Sequence, residues 1–185
     1  MPSSTRGGSR GRGRSSAFGE RAAIPAPAPT DRGLRPRDLV RLDLCCAHRG
    51  YCAEVARTAV MGEPIPRQQQ AADALVAGVD AAIERIKPGV SASDIHQAAV
   101  DAVRRAGLGD FRRYHVGHGI GLEPYERPKL AAGIATPLEA GEVLRVETPY
   151  YVHGWSGLSV KEMVLVTTTG ARELNRSARG LLALD

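Results

Sequence analysis

Four side chains in this sequence carry the chemistry of a metal-activated hydrolytic centre: Asp43, Glu54, His118 and Glu147. Carboxylate oxygens and an imidazole nitrogen suit Mn, Fe, Co or Zn, ions that activate a bound water and polarise a carbonyl. Each acid taken alone is more often an edge or surface group of a strand. His118 lies in HVGHGIGLEPYERP, where two imidazoles, three glycines and two prolines exclude regular helix and let backbone approach a bound group closely. The competing reading of this segment is a tight turn in which His115 and His118 only satisfy backbone groups.

The elements that must position these residues follow from hydrophobic pattern and turn chemistry. Leu39–Asp43 (LVRLD) and Tyr51–Val60 (YCAEVARTAV) predict a hairpin that brings Asp43 and Glu54 onto neighbouring strands. From Arg67 to Lys87, Ala72, Leu75, Val76, Val79, Ile83 and Ile86 recur at intervals of three and four and stop at Pro88-Gly89, an amphipathic helix. A second helix is predicted over Ser93–Ala106, with Ser91 or Ser93 as N-cap and Gly107 as terminator. Short β-rich segments follow at Tyr114–Val116, Glu142–Glu147, Tyr150–Val152 and Leu158–Val166. Strands, two helices, then strands, without βαβ alternation, predict an α+β fold with an antiparallel sheet.

A length of 185 residues allows one domain with a real core. Only 4% of residues are aromatic, so Ala and Leu must fill that core. The net charge of +5 is concentrated in Arg6, Arg10, Arg12 and Arg14, and a basic arm beside a near-neutral body argues against a nucleic-acid partner. Residues 1–18, rich in Arg, Gly and Ser, are expected to be a disordered, dispensable tail, with the domain over 19–185. Ala22–Pro29 is expected to run extended. No apolar run has the length of a membrane span or signal peptide, which predicts a cytoplasmic protein. Cys45, Cys46 and Cys52 match neither a disulfide framework nor a zinc pattern.

Four segments in order resemble the creatinase/aminopeptidase ("pita-bread", M24-type) superfamily. DLVRLDLCCAHRGYCAEVART resembles its G-D-L-V-x-x-D-x-G and G-Y-x-x-D-x-x-R-T segments, and GHGIGLEPYERP its G-H-G-I-G-L-x-x-H-E-x-P. VETPYY resembles the E-P-x-Y strand, and VKEMVLVTTTGARELN the closing V-E-D-x-V-L-V-T segment. The resemblance implies a pita-bread-like curved antiparallel sheet with packed helices, its first half incomplete because the first helix pair should precede Gly19. It also implies a metal-dependent hydrolase of the aminopeptidase or Xaa-Pro dipeptidase type, cleaving a peptide or small amide with metal-activated water. Asp43, Glu54, His118 and Glu147 fall on ligand positions. His115 and Tyr125 would polarise the carbonyl or hold the leaving side, and Glu147 would assist proton transfer.

Departures from the family pattern bear on activity. Lys161 stands at the fifth ligand position, where the family has a bridging Glu, and Glu162, one residue on, is the replacement candidate if a bulge turns it inward. An ammonium beside a divalent ion is unfavourable, so one ion rather than two, or none, is expected. Tyr125 replaces a family histidine, Cys45 and Arg37 replace glycines, and Ala26 stands where many peptidases have histidine. The alternatives are a non-catalytic pita-bread binding module, and a metal-free creatinase-like C–N hydrolase with His118 as acid/base. Apolar sheet surface left by the shortened first half points to a homo-oligomer or a partner subunit.

Overall fold

The computed structural model describes residues 10–185, with side chains from residue 15 onward. Its elements run β1 (Arg10–Phe18), a 3-10 turn (Gly19–Ala23), β2 (Leu39–His48), β3 (Tyr51–Met61), α1 (Pro66–Arg85) and α2 (Ala92–Arg105). There follow β4 (His115–Gly119), β5 (Glu126–Ala131), β6 (Val143–Glu147), β7 (Tyr150–Val152), β8 (Ser156–Leu158), β9 (Lys161–Val166), β10 (Ala171–Glu173) and β11 (Leu182–Leu184). The main sheet has the order β1-β2-β3-β9-β6-β4-β5, curled and antiparallel along this path. β10 joins β9, β11 joins β3 in parallel, and β7-β8 form a separate hairpin. This is the expected α+β architecture.

Both helices form where the apolar period and end signals place them. α1 opens at Pro66, whose missing N–H costs nothing in a first turn, while the Gln68 side chain accepts from the Ile65 N–H. α2 is capped by Ser91, whose hydroxyl accepts from the Asp94 N–H at 3.1 Å. Leu75, Val79 and Ala82 of α1 and Ile95, Ala99 and Val103 of α2 pack with Leu130, Leu144, Val146 and Val164 of the sheet into one buried core. Burying a Leu or Val completely contributes roughly 1.5–3 kcal/mol, so this helix-covered side is what fixes β4, β6 and β9 in place.

The N-terminal segment departs from expectation. Arg10–Phe18 does not belong to a disordered tail but pairs antiparallel with β2, Ser15 opposite Asp43 and Phe18 opposite Val40. An edge strand is held by backbone hydrogen bonds, which Ser and Gly supply as well as apolar residues do. The return from β1 is fastened by buried Arg41, which donates to the carbonyls of Ala22, Ile24 and Pro25. Residues 1–9, the rest of the expected tail, lie outside the described residues. Among the described residues no helix is long and apolar enough to cross a membrane.

Candidate functional site

Strand register assembles the site. At the β2–β3 turn Arg49 and Gly50 take φ of 50° and 89°, the two-residue turn whose twist matches paired strands. The resulting register sets Asp43 opposite Ala56 and Cys45 opposite Glu54, so Asp43 and Glu54 are diagonal neighbours on one face. The row continues across the sheet, with Ala56 opposite Lys161 and Lys161 opposite Glu147. A second row sets Met163 opposite Arg145 and Arg145 opposite His118. Gly117 permits the last pairing: its φ is 149°, and a Cβ there would lie 2.1 Å from the Arg145 carbonyl oxygen.

The side chains meet as an ion-pair cluster. Lys161 Nζ donates to Asp43 Oδ2 at 2.7 Å and Glu54 Oε2 at 3.4 Å, and lies 3.7 Å from Glu147 Oε2. Arg145 donates from Nη1 to Glu54 Oε2 at 2.5 Å and from Nη2 to Glu147 Oε1 at 3.0 Å. Three carboxylates thus face two cations. Burial alone would raise the Glu54 carboxyl, but the Arg145 guanidinium and then the Lys161 ammonium outweigh it and hold the pKa below its ordinary value. Burial likewise works against the Arg145 charge and is overcome by Glu147 and Glu54, so its pKa is raised.

His118 is fully buried, and its Nδ1–H donates to the Gly119 carbonyl oxygen at 2.7 Å. A carbonyl can only accept, which leaves the lone pair on Nε2, an atom with no hydrogen-bond partner among the described residues. Burial, reinforced by the nearby Arg145 charge, lowers the His118 pKa to about 4, so the ring is neutral at physiological pH. Tyr125, 49% exposed, stacks over it with ring centroids 3.8 Å apart. His115 Nδ1 lies 3.5 Å from Glu147 Oε1, and burial lowers its pKa as well.

Asp43, Glu54, His118, Glu147 and Lys161 therefore open onto one face, with His115 and Tyr125 at its border. Glu162 does not join them. β9 keeps its register with β6 from Lys161 to Leu165 without a bulge, so Glu162 points to the opposite face. There its Oε1 accepts from Arg57 Nη2 at 2.5 Å and Arg179 Nε at 3.2 Å. Sequence reasoning missed Arg145, although the signal was present: it lies two residues before Glu147 in a strand, hence on the same face.

A family model described as Metallopeptidase family M24 matches residues 4–168. The chain belongs to that family. The Xaa-Pro dipeptidase of Pyrococcus furiosus is 31% identical over 166 residues, covering 90% of this chain and 48% of that protein. Dipeptidase PepE from Mycobacterium ulcerans superposes with a TM-score of 0.89 at 32% identity, over 94% of this chain and 47% of that one. The X-Pro aminopeptidase of Thermotoga maritima gives 0.86 and 27%, over 92% and 49%. The chain has the pita-bread fold of these M24 proteins and spans about half their length.

Family M24 implies divalent ions, and the donor set of this M24 chain does not fit them as it stands. The carboxylates that would ligate an ion are bonded to Lys161 and Arg145. An ion placed about 4 Å from the Lys161 ammonium would meet roughly 8 kcal/mol of repulsion at an effective dielectric near 20. Among the described residues, no set of three or more His, Cys, Asp or Glu side chains is arranged to hold an ion.

Proposed function

We propose that this M24 chain is a peptide-binding module on a peptidase scaffold, with its own cations standing where a metallopeptidase would carry metal ions. One observation carries the reading: Lys161 and Arg145 together bond all three carboxylates of the centre. The centre keeps the means to recognise a peptide backbone. Arg145 Nε is a buried donor without a partner among the described residues, suited to a peptide carbonyl, and the His118 Nε2 lone pair is an acceptor suited to an N–H. Exposed Tyr125 offers a ring face at the rim. The names of the relatives point to short Xaa-Pro peptides as the ligand class.

The reading also accommodates a partner chain. Leu42 and Leu44 alternate with Asp43 and face away from the site, and Leu44 is 45% exposed. A second copy or another subunit would cover them.

A metal-free C–N hydrolase is the second reading, favoured by the neutral, unpartnered His118 Nε2. A base with a pKa of about 4 is a poor proton acceptor at neutral pH, which ranks this reading lower. The deciding experiment measures metal content, Gly-Pro binding and Gly-Pro hydrolysis on the purified chain, with and without Mn and Co. Binding without retained metal and without turnover is expected. One or two tightly held equivalents with metal-dependent turnover would overturn the proposal in favour of the metallohydrolase. Turnover that needs no metal and disappears in His118→Ala would select the second reading.

A further inference from the structure

Beside the ion cluster a cleft of about 390 Å3 opens between the 110–113 segment and β7, lined by Asp110, Arg112, Arg113, Tyr150, Tyr151 and His153. Both walls run directly into the site. Arg113 is two residues before His115, and Tyr150 and Tyr151 follow Glu147 within four residues. The first wall is braced from α2: Phe111 is buried, Arg104 Nε donates to its carbonyl at 2.9 Å, and His96 Nε2–H donates to the Arg113 carbonyl at 2.9 Å. The Arg113 backbone is thereby fixed before any ligand arrives.

The Arg113 side chain has unmet capacity. Its Nε is buried and has no hydrogen-bond partner among the described residues. A buried donor left unpaired is costly, more so on a charged group, and the Arg113 side chain, only half-buried as a whole, lines the cleft. Arg112 adds a second cation to the lining and His153 an ionisable imidazole. Asp110 is the one acid of the lining; burial first and then the Asp110 charge raise the Tyr150 pKa. A guanidinium presents a planar fork that matches the two oxygens of a carboxylate.

We propose that this cleft is a carboxylate subsite: Arg113, assisted by Arg112, takes the C-terminal carboxylate of a short peptide whose N-terminal part lies over the His118–Arg145 centre. The peptide part rests on the function proposed above; the carboxylate part stands on the cleft itself. A free small dicarboxylate offers the same chemistry, so the test separates the two sources.

Titration calorimetry on the full chain would compare Gly-Pro, glycyl-prolinamide and succinate, in the parent protein and in Arg113→Gln and Arg113→Lys. Gly-Pro should bind at least tenfold more tightly than its amide. Arg113→Gln should remove that preference while leaving the amide unchanged, and Arg113→Lys, which keeps the charge but loses the fork, should restore part of it. Thermal melts would check that both variants fold. Equal affinity for acid and amide, or an equal loss of both in Arg113→Gln, overturns the subsite. Arg113-dependent succinate binding without any Gly-Pro binding would retain the subsite and discard the peptide-binding reading. No binding of either discards both.

Discussion

Lys161 and Glu162 are neighbours in β9, yet they belong to two ionic clusters back to back across the sheet. On one face Lys161 joins Asp43, Glu54, Glu147 and Arg145. On the other, Glu162 joins Arg57 and Arg179, and Arg179 reaches on to Asp80 and Glu173. The second cluster is structural in build. Arg57 also donates to the carbonyls of Ala56, Lys161, Ser177 and Ala178, fastening the C-terminal segment to the sheet. The first cluster keeps unpartnered polar atoms on His118 and Arg145 beside its ion pairs. Glu162 Oε2 is buried without a partner among the described residues as well, so unspent hydrogen-bonding capacity does not separate the two faces. What does is that the second cluster is a staple tied to backbone carbonyls, whereas the first consists of ion pairs between side chains.

The largest effect that tests this contrast is expected on the staple face. Arg57→Ala removes bonds to four carbonyls and leaves Glu162, 1% exposed, with only Arg179. A loss of about 3–5 kcal/mol is expected in urea unfolding. A loss below about 1 kcal/mol would show that the two clusters do not differ in this way.

Next in size is a gain of function on the other face. Replacing both cations, Lys161→Glu with Arg145→Thr, removes two charges at ligand distance and adds a carboxylate. Mn or Co affinity should rise at least 100-fold over the parent in calorimetry, about 3 kcal/mol. Lys161→Glu alone should gain less, because Arg145 still holds Glu54 and Glu147. Glu162→Gln should gain nothing, and metal binding that depends on Glu162 would reverse the assignment of faces.

Acid titration gives a third test. His118 is held neutral, with its pKa lowered from 6.5 to about 4, so the unfolded chain takes up a proton first as pH falls. The stability it contributes is complete above pH 6.5 and is lost on the way down to about pH 4, roughly 2–3 kcal/mol in all. The lowered Glu54 carboxyl has the same sign in a lower window, with loss beginning near its ordinary pKa of 4.5. Urea melts between pH 8 and pH 4 should show this slope, and His118→Gln should flatten the upper part of it.

The smallest effect concerns the rim. Tyr125→Ala removes the ring stacked on His118 and should cost about 0.5–1.5 kcal/mol of stability. Gly-Pro affinity should fall more in this variant than in Tyr51→Ala, a similarly exposed tyrosine on the β2–β3 turn.

Much of this was legible in the sequence, and the gaps have physical causes. The β2–β3 hairpin, both helices and the order of the chemical segments follow from periodicity and turn residues, and the hairpin register brings Asp43 and Glu54 together. Glu147 joins them through the β3–β9–β6 pairing, which periodicity does not give. β5 escaped notice because Pro128 sits within it, which is tolerable where β5 forms the edge of the sheet. β1 escaped because composition reports on side chains, whereas an edge strand is secured through its backbone. Arg145 escaped because ligand types were sought and a cation is not one; the alternation of VLRVE places it beside Glu147 all the same. Glu162 was offered as a ligand by its chemistry and excluded by the parity of an unbulged strand.

The cluster's ion pairs also bear on how the chain folds. Arg145 and Glu54 are 91 residues apart in sequence, and Lys161 and Asp43 are 118 apart. Closing loops of that length carries an entropic penalty that nearby contacts do not, so helix formation and the β2–β3 hairpin can precede the cluster by a wide margin. The face that carries these ion pairs is therefore expected to be among the last parts of the molecule to form. Its appearance during refolding, followed through the stacked Tyr125 or through bound Gly-Pro, marks completion of the whole sheet rather than of any one segment.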